Sequence, residues 1–126
     1  MKTLSAPINI VFGITSQCNL NCKHCLAADS RNYKDLTTDE IKKIIREMGK
    51  LKVFGVNIFG GEPLIRPDFF TILEELSKER IKPFLNTNAT LITKDIAKRL
   101  ARYPALKCLI GLDGSRAEVH DALRGQ

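Results

Sequence analysis

The chain lacks any run of about 20 consecutive apolar residues, the length that a membrane-spanning helix requires. Residues 1–7 also lack the long apolar segment of a secretory signal peptide. We therefore expect no membrane span and a cytoplasmic location. Thiols stay reduced there, and clustered cysteines in such proteins are more often metal ligands than disulfide partners.

Aromatic residues are scarce as well, at 6% of the 126 residues. The formal net charge of +6 would suit a nucleic-acid-binding protein. However, no aromatic residue interleaves the basic groups on the predicted helix faces, which are Lys42, Lys43, Arg46, Lys98 and Arg99. We interpret these groups as a solvated surface and expect no nucleic-acid partner. With 44% hydrophobic and 27% charged residues, the composition is that of a folded protein.

A fourth cysteine is missing beside the three that form a Cys-x3-Cys-x2-Cys motif, Cys18, Cys22 and Cys25. A [4Fe–4S] cluster normally takes four thiolates, so three would leave one iron open to another ligand. Thiolates also suit zinc, and His24 would complete a Cys3His set. Because His24 is adjacent to Cys25, the two side chains are poorly placed to bind the same ion. The motif predicts a cluster, with a zinc site as the alternative.

Apolar runs alternate with amphipathic segments along the chain. Strands are predicted at 8–14, 53–59, 82–86 and 106–112, and the first is expected to be buried on both faces. Thr37 and Glu40 have the spacing of a capping box at the start of a helix. The apolar face of that helix contains Ile41, Ile44, Ile45 and Met48. Further helices are predicted from Pro67-Asp68, over 93–102 and over 115–123.

This alternation predicts β-α-β units and a parallel sheet. The predicted fold class is α/β, a partial (β/α) TIM-like barrel of about four parallel strands with helices on the outside. At about thirty residues per β-α unit, the chain holds roughly half of a full barrel. We expect a truncated barrel whose fourth strand is an apolar edge. Cys108, in that strand, is expected to be a small buried residue.

Each predicted strand is followed by a motif rich in polar or small residues. The motifs are the cysteine loop, Gly60-Gly61-Glu62-Pro63, Thr87-Asn88 and Leu112-Asp113-Gly114. In parallel α/β folds, ligands gather at the carboxyl ends of the strands. We therefore expect the four motifs to form one site.

In this order, the motifs resemble those of the radical S-adenosylmethionine (radical SAM) superfamily, from the first strand to Arg124. The similarity is greatest to the branch that modifies peptides or matures cofactors, often with a C-terminal extension for auxiliary clusters. The resemblance implies that residues 1–126 are the N-terminal portion of an incomplete radical SAM core domain. It also implies an oxygen-sensitive enzyme, in which Cys18, Cys22 and Cys25 hold a [4Fe–4S] cluster and the open iron chelates S-adenosylmethionine.

The implied chemistry is reductive cleavage of S-adenosylmethionine to a 5′-deoxyadenosyl radical, which abstracts a hydrogen atom from the substrate. The expected partners are a peptide or small-molecule substrate, including a cofactor precursor, and a one-electron donor such as a flavodoxin or ferredoxin. Two alternatives to this enzyme stay open: a non-catalytic zinc-binding module, and an inactive truncated remnant that keeps the motifs.

The resemblance also implies contacts with the methionyl part of S-adenosylmethionine. Gly60 and Gly61 lack a Cβ atom and would let the backbone approach it closely. Glu62 would offer carboxylate or backbone acceptors to the amine, or would simply lie near a helix start. Arg124 would pair with the carboxylate, or would be a solvated side chain.

Three further positions complete the predicted set. His24 stands where relatives usually place an aromatic residue against the adenine, although a solvent-facing imidazole is equally compatible. Asn88 would contact the cofactor or cap a turn. Many relatives have a serine in place of Gly111, so Asp113 or a main-chain group would substitute for its hydroxyl. Asp113 also suits an ordinary turn.

Overall fold

The computed structural model describes residues 4–28 and 33–125. Strands and helices alternate in it: β1 Asn9–Thr15, α1 Thr38–Lys50, β2 Gly55–Gly60, α2 Phe69–Lys78, β3 Lys82–Thr87, α3 Lys94–Leu100, β4 Lys107–Ile110 and α4 Ala117–Arg124. A 3-10 turn, Pro63–Ile65, lies between β2 and α2.

All strand pairings in the described sheet are parallel, and the strand order is β1-β2-β3-β4. The register pairs Ile58 with both Phe12 and Leu85, so the carboxyl ends of the strands meet at the same edge. The predicted α/β class and partial TIM-like barrel of about four parallel strands are confirmed.

The helix α1 forms as its sequence predicts. The Glu40 amide donates to Thr37 Oγ1 over 3.3 Å, and the Thr37 amide donates to Glu40 Oε2 over 2.8 Å. This capping box satisfies amides that would otherwise lack a partner at the helix start. Ile41, Ile45 and Met48 are buried against the sheet and α2, which fixes the helix on one side of the sheet.

The prediction that β1 is buried on both faces is wrong. Val11 is 68% exposed, whereas Ile14 is 2% exposed. In the described chain, β1 pairs only with β2, and the core lies on the side of the sheet that contains Ile10, Phe12 and Ile14. Val11 points to the other side of the sheet, so only one face of β1 is covered although most of its residues are apolar.

The expected burial of Cys108 is also wrong. This residue is exposed, as are its neighbours Leu109 and Ile110 in β4. The described part of the sheet supplies β4 with one partner, β3, which explains the exposure. The prediction that this strand is an apolar edge is confirmed.

A nearly buried ion pair joins the start of α2 to the end of β1. The guanidinium of Arg66 donates to both carboxylate oxygens of Asp68, over 2.8 and 2.7 Å. Its Nη1 also donates to the carbonyl oxygens of Ile14 and Leu36, over 2.8 and 3.0 Å. Thr38 adds a hydroxyl donor to Asp68 over 2.6 Å. Arg66 and Asp68 thus connect three segments around the cysteine loop.

This network makes the free energy of unfolding depend on pH in the acid range. The hydrogen bond from Arg66 is the main cause that holds the pKa of Asp68 below its ordinary value of 3.8, and burial opposes it. A lowered folded-state pKa stabilises the fold above that ordinary value, and the stabilisation is lost as the pH falls through the folded-state pKa. We expect Asp68→Asn to lower the free energy of unfolding by about 2 kcal/mol at neutral pH. It should also flatten the acid side of the stability profile in denaturant titrations.

Asp39→Asn is the matched control, because Asp39 is exposed in the first turn of α1. Its profile should keep the acid slope of the natural sequence. An unchanged acid slope in Asp68→Asn would show that the ion pair does not contribute as argued.

Candidate functional site

A cavity of about 450 Å³ opens at the carboxyl ends of the strands. Eight of the ten predicted site residues line it: Cys18, Cys22, His24, Cys25, Gly60, Gly61, Asn88 and Arg124. Glu62 and Asp113 do not line it, but each contacts a residue that does, Asn88 and Arg124 respectively. The structure thus brings together motifs that are up to about a hundred positions apart in the sequence.

The three thiols of the motif are free, half-buried and exposed to the same cavity. The Cys25 amide donates to the Cys22 carbonyl over 3.2 Å, which closes a turn between these two residues. In the part of the chain that the structure describes, no group of three or more His, Cys, Asp or Glu side chains is placed to hold a metal ion. In a [4Fe–4S] site each thiolate binds a different iron, and three cysteines that line one cavity are the donor type that such a cluster takes.

Gly60 and Gly61 lie directly against the backbone that leads into the cysteine loop. The Gly61 amide donates to the Thr15 carbonyl over 2.9 Å. A Cβ atom on Gly61 would lie 2.0 Å from the Gln17 carbonyl oxygen, and one on Gly60 would lie 2.1 Å from that of Thr15. Gly60 also has a φ of +150°, which L side chains rarely adopt. The chain's own packing therefore requires both glycines, while their contact with a cofactor stays a prediction.

Glu62 is 1% exposed, and both oxygens of its carboxylate accept hydrogen bonds from neighbouring groups. One oxygen accepts from the Leu64 amide over 3.1 Å and from Thr87 Oγ1 over 2.8 Å. The other accepts from the Asn88 amide over 2.8 Å. Sequence reasoning missed Thr87 as a partner of Glu62, because the two are 25 positions apart and no local pattern links them. A contact between Glu62 and a cofactor amine stays a prediction.

Asn88 both shapes its turn and contacts the cysteine loop. Its Oδ1 accepts from the Thr90 amide over 2.9 Å, and its Nδ2 donates to Asn19 Oδ1 over 3.0 Å. Asn19 Nδ2 in turn donates to Thr90 Oγ1 over 2.8 Å. Sequence reasoning also missed Asn19, whose position next to Cys18 was the available signal.

Asp113 links the cysteine loop to α4. Its carboxylate accepts from Arg124 Nε and lies 3.5 Å from His24 Nε2. A Cβ atom on Gly111 would lie 2.2 Å from Arg124 Nη2, so glycine at this position leaves room for the guanidinium. Arg124 has a side-chain exposure of 14%, which rules out the alternative of a freely solvated arginine. His24 lines the cavity and is half exposed, so its contact with an adenine stays a prediction.

The end of α4 packs on the middle of the cysteine loop. The Lys23 amide donates to the Leu123 carbonyl over 2.9 Å. Gly125 has a φ of +70°, and a Cβ atom there would lie 2.4 Å from the Asn21 carbonyl oxygen. The loop is therefore held by α4 on one side and by the turn after β3 on the other.

No helix among residues 4–28 and 33–125 is long and apolar enough to cross a membrane.

Comparison with known proteins gives a family match over most of the chain. The model of the Radical SAM superfamily matches residues 12–126. Mycofactocin maturase MftC from Mycobacterium tuberculosis is 42% identical over 125 residues, which cover 98% of this chain and 32% of the relative. An AdoMet-dependent heme synthase from Methanosarcina barkeri is 37% identical over 123 residues, covering 96% of this chain and 35% of the relative. The chain thus spans about a third of the length of these relatives.

Solved structures share the fold. Streptococcus suis SuiB bound to its precursor peptide SuiA superposes with a TM-score of 0.86 at 26% identity, covering 96% of this chain and 28% of SuiB. A structure of SuiB bound to S-adenosylmethionine superposes with a TM-score of 0.83 at 27% identity and the same coverage. The match to residues 12–126, together with the order of the motifs around one cavity, confirms the resemblance that the sequence indicates. The chain belongs to the radical SAM superfamily of enzymes.

Proposed function

We propose that this chain binds a [4Fe–4S] cluster through Cys18, Cys22 and Cys25, and S-adenosylmethionine at the iron that the three thiolates leave open. The observation that carries the proposal is the shared cavity. The three thiols line it together with the Gly60-Gly61 segment and Arg124. SuiB, which shares the fold, is described in complex with S-adenosylmethionine, and three thiolates suit a [4Fe–4S] cluster with one open iron.

A cluster held by Cys18, Cys22 and Cys25 would, when reduced, supply the electron for reductive cleavage of S-adenosylmethionine, and the resulting 5′-deoxyadenosyl radical would abstract a hydrogen atom from the substrate. The chain's own residues would bind and orient S-adenosylmethionine. Arg124 is held through Nε by Asp113, and its Nη2 lies beside Gly111 at the cavity wall. A guanidinium fixed in this way can pair with the carboxylate of S-adenosylmethionine. We propose that His24 lies against the adenine and that Asn88 and Asp113 make further polar contacts. Gly60, Gly61 and the backbone of Glu62 would lie next to the methionyl part.

The substrate is proposed to be a peptide or a cofactor precursor. The support comes from SuiB, which is described in complex with its precursor peptide, and from the maturase and heme synthase relatives. A one-electron donor such as a flavodoxin or ferredoxin would reduce the cluster, and the location would be cytoplasmic. Residues 1–126 would form the N-terminal portion of the core domain.

Anaerobic reconstitution with iron and sulfide tests the cofactor proposal. We expect a brown protein with about four irons per chain, which cleaves S-adenosylmethionine when a chemical reductant is added. Iron, sulfide and zinc are measured in the same preparation. A colourless protein with one zinc per chain and no response to S-adenosylmethionine would instead identify a zinc-binding module. A circular-dichroism melting curve on the same sample shows whether the chain is folded when it is assayed.

A further inference from the structure

Glu62 is a buried carboxylate without a cationic partner in the described residues. It is 1% exposed, and the ion pairs found within residues 4–28 and 33–125 do not include it. Burying a carboxylate costs much free energy unless hydrogen bonds compensate. Here the amides of Leu64 and Asn88 and the hydroxyl of Thr87 provide that compensation. Because burying this carboxylate costs free energy, its position at the end of β3 indicates a specific role there.

The hydrogen bonds continue from Glu62 to the cysteine loop. Glu62 holds the Asn88 amide, and the Asn88 side chain donates to Asn19 over 3.0 Å. Thr90 completes a closed ring, because its Oγ1 accepts from Asn19 and donates to Asn88 Oδ1 over 2.6 Å. We call Glu62, Thr87, Asn88 and Asn19 the Glu62 clamp.

Glu62 also holds the loop from the other side of Cys18. Its own amide donates to the Gln17 carbonyl over 2.8 Å. Cys18 is therefore flanked by Gln17, which Glu62 contacts directly, and by Asn19, which it contacts through Asn88. The Cys18 Sγ itself accepts from the Leu20 amide over 3.5 Å, so the orientation of this thiol depends on the backbone that the clamp fixes.

We propose that Glu62 is a positioning residue for the Cys18 thiol, and that its carboxylate acts through the Glu62 clamp rather than by touching a cofactor. That the positioned Cys18 thiol serves as a cluster ligand rests on the proposed function. The positioning itself is a property of the chain alone and can be measured without any cluster.

The first test measures alkylation rates in the full cluster-free chain. Glu62→Gln keeps the size of the side chain but places an NH2 group against N–H and O–H donors. Asn19→Ala removes the far end of the clamp at an exposed side chain. Both variants should raise the rate at which iodoacetamide alkylates Cys18 about fivefold. This factor corresponds to the loss of about 1 kcal/mol of hydrogen bonding. Tandem mass spectrometry localises the label to Cys18, which shares a tryptic peptide with Cys22, and to Cys25 and Cys108 on other peptides.

Glu74→Gln is the matched control, because it removes one carboxylate charge from an exposed site on α2, and it should leave the Cys18 rate unchanged. In the double variant, Glu62→Gln with Asn19→Ala, the rate should not exceed that of the faster single variant, because both changes interrupt the same connection. An unchanged Cys18 rate in Asn19→Ala overturns the proposal. So does an equal rise at Cys18, Cys25 and Cys108, which would report general unfolding.

A second measurement uses the reconstituted chain and follows the transfer of iron to a chelator without S-adenosylmethionine. The clamp predicts faster iron loss in both Glu62→Gln and Asn19→Ala. If Glu62 instead contacts the cofactor amine, iron loss without S-adenosylmethionine stays unchanged, and only Glu62→Gln weakens S-adenosylmethionine binding. If the natural sequence takes up no iron at all, the proposed function fails, while the alkylation rates still decide whether the clamp exists.

Discussion

Cys22→Ala is expected to abolish the absorption and the bound iron of the reconstituted cluster. The cavity offers three thiols, and each is needed for a different iron. Alanine keeps the backbone, including the Cys22 carbonyl that accepts from the Cys25 amide, so the turn itself should persist. The loss would therefore report the missing thiolate. Iron and sulfide content, read together with the visible spectrum under anaerobic conditions, measure it.

Cys108→Ala is the control for that experiment. Cys108 is exposed on β4 and does not line the cavity, so the variant should keep about four irons per chain. Circular dichroism of both variants before reconstitution should match that of the natural sequence. A complete four-iron spectrum in Cys22→Ala would contradict the ligand assignment.

Local patterns in the sequence predict much of the fold. The capping box at Thr37 and Glu40 and the apolar face of α1 form as expected, because each depends on residues three or four positions apart. Strand ends are less well predicted. The fourth strand, predicted at 106–112, is found at Lys107–Ile110. Its extent depends on pairing with β3, which an apolar run does not specify.

The sequence predicts which residues belong to the site better than it predicts the contacts among them. Strand order places the four motifs at one edge, and this follows from the alternation of strands and helices. The contact between Asn19 and Asn88 spans 69 positions, and no periodicity encodes it. The same limit applies to Glu62. Its sequence motif indicates a place near the cofactor, whereas its burial and hydrogen-bond partners emerge only from the folded chain.

Gly61→Ala is expected to destabilise the chain strongly even when no cofactor is bound. The added Cβ would lie 2.0 Å from the oxygen and 2.4 Å from the carbon of the Gln17 carbonyl, and 2.9 Å from the Cys18 nitrogen. These are backbone atoms, so either the start of the cysteine loop or the segment around Gly61 must move. We expect a loss of about 3 kcal/mol in the free energy of unfolding, with a fall of roughly 10 °C in the melting temperature.

Gly13→Ala is the matched control, because a Cβ atom there would lie 3.3 Å from the Phe59 ring, a side chain that can turn aside. Its melting temperature should change by only a few degrees, corresponding to less than about 1 kcal/mol. The comparison separates two reasons for glycine at position 61. If the glycine served only the approach of S-adenosylmethionine, the cofactor-free Gly61→Ala variant would melt like the control. If the cysteine loop packs on it, as the distances to Gln17 and Cys18 indicate, the loss of stability comes before any cofactor binds. Cluster uptake should then decline together with stability, since Cys18 belongs to the loop that packs on position 61.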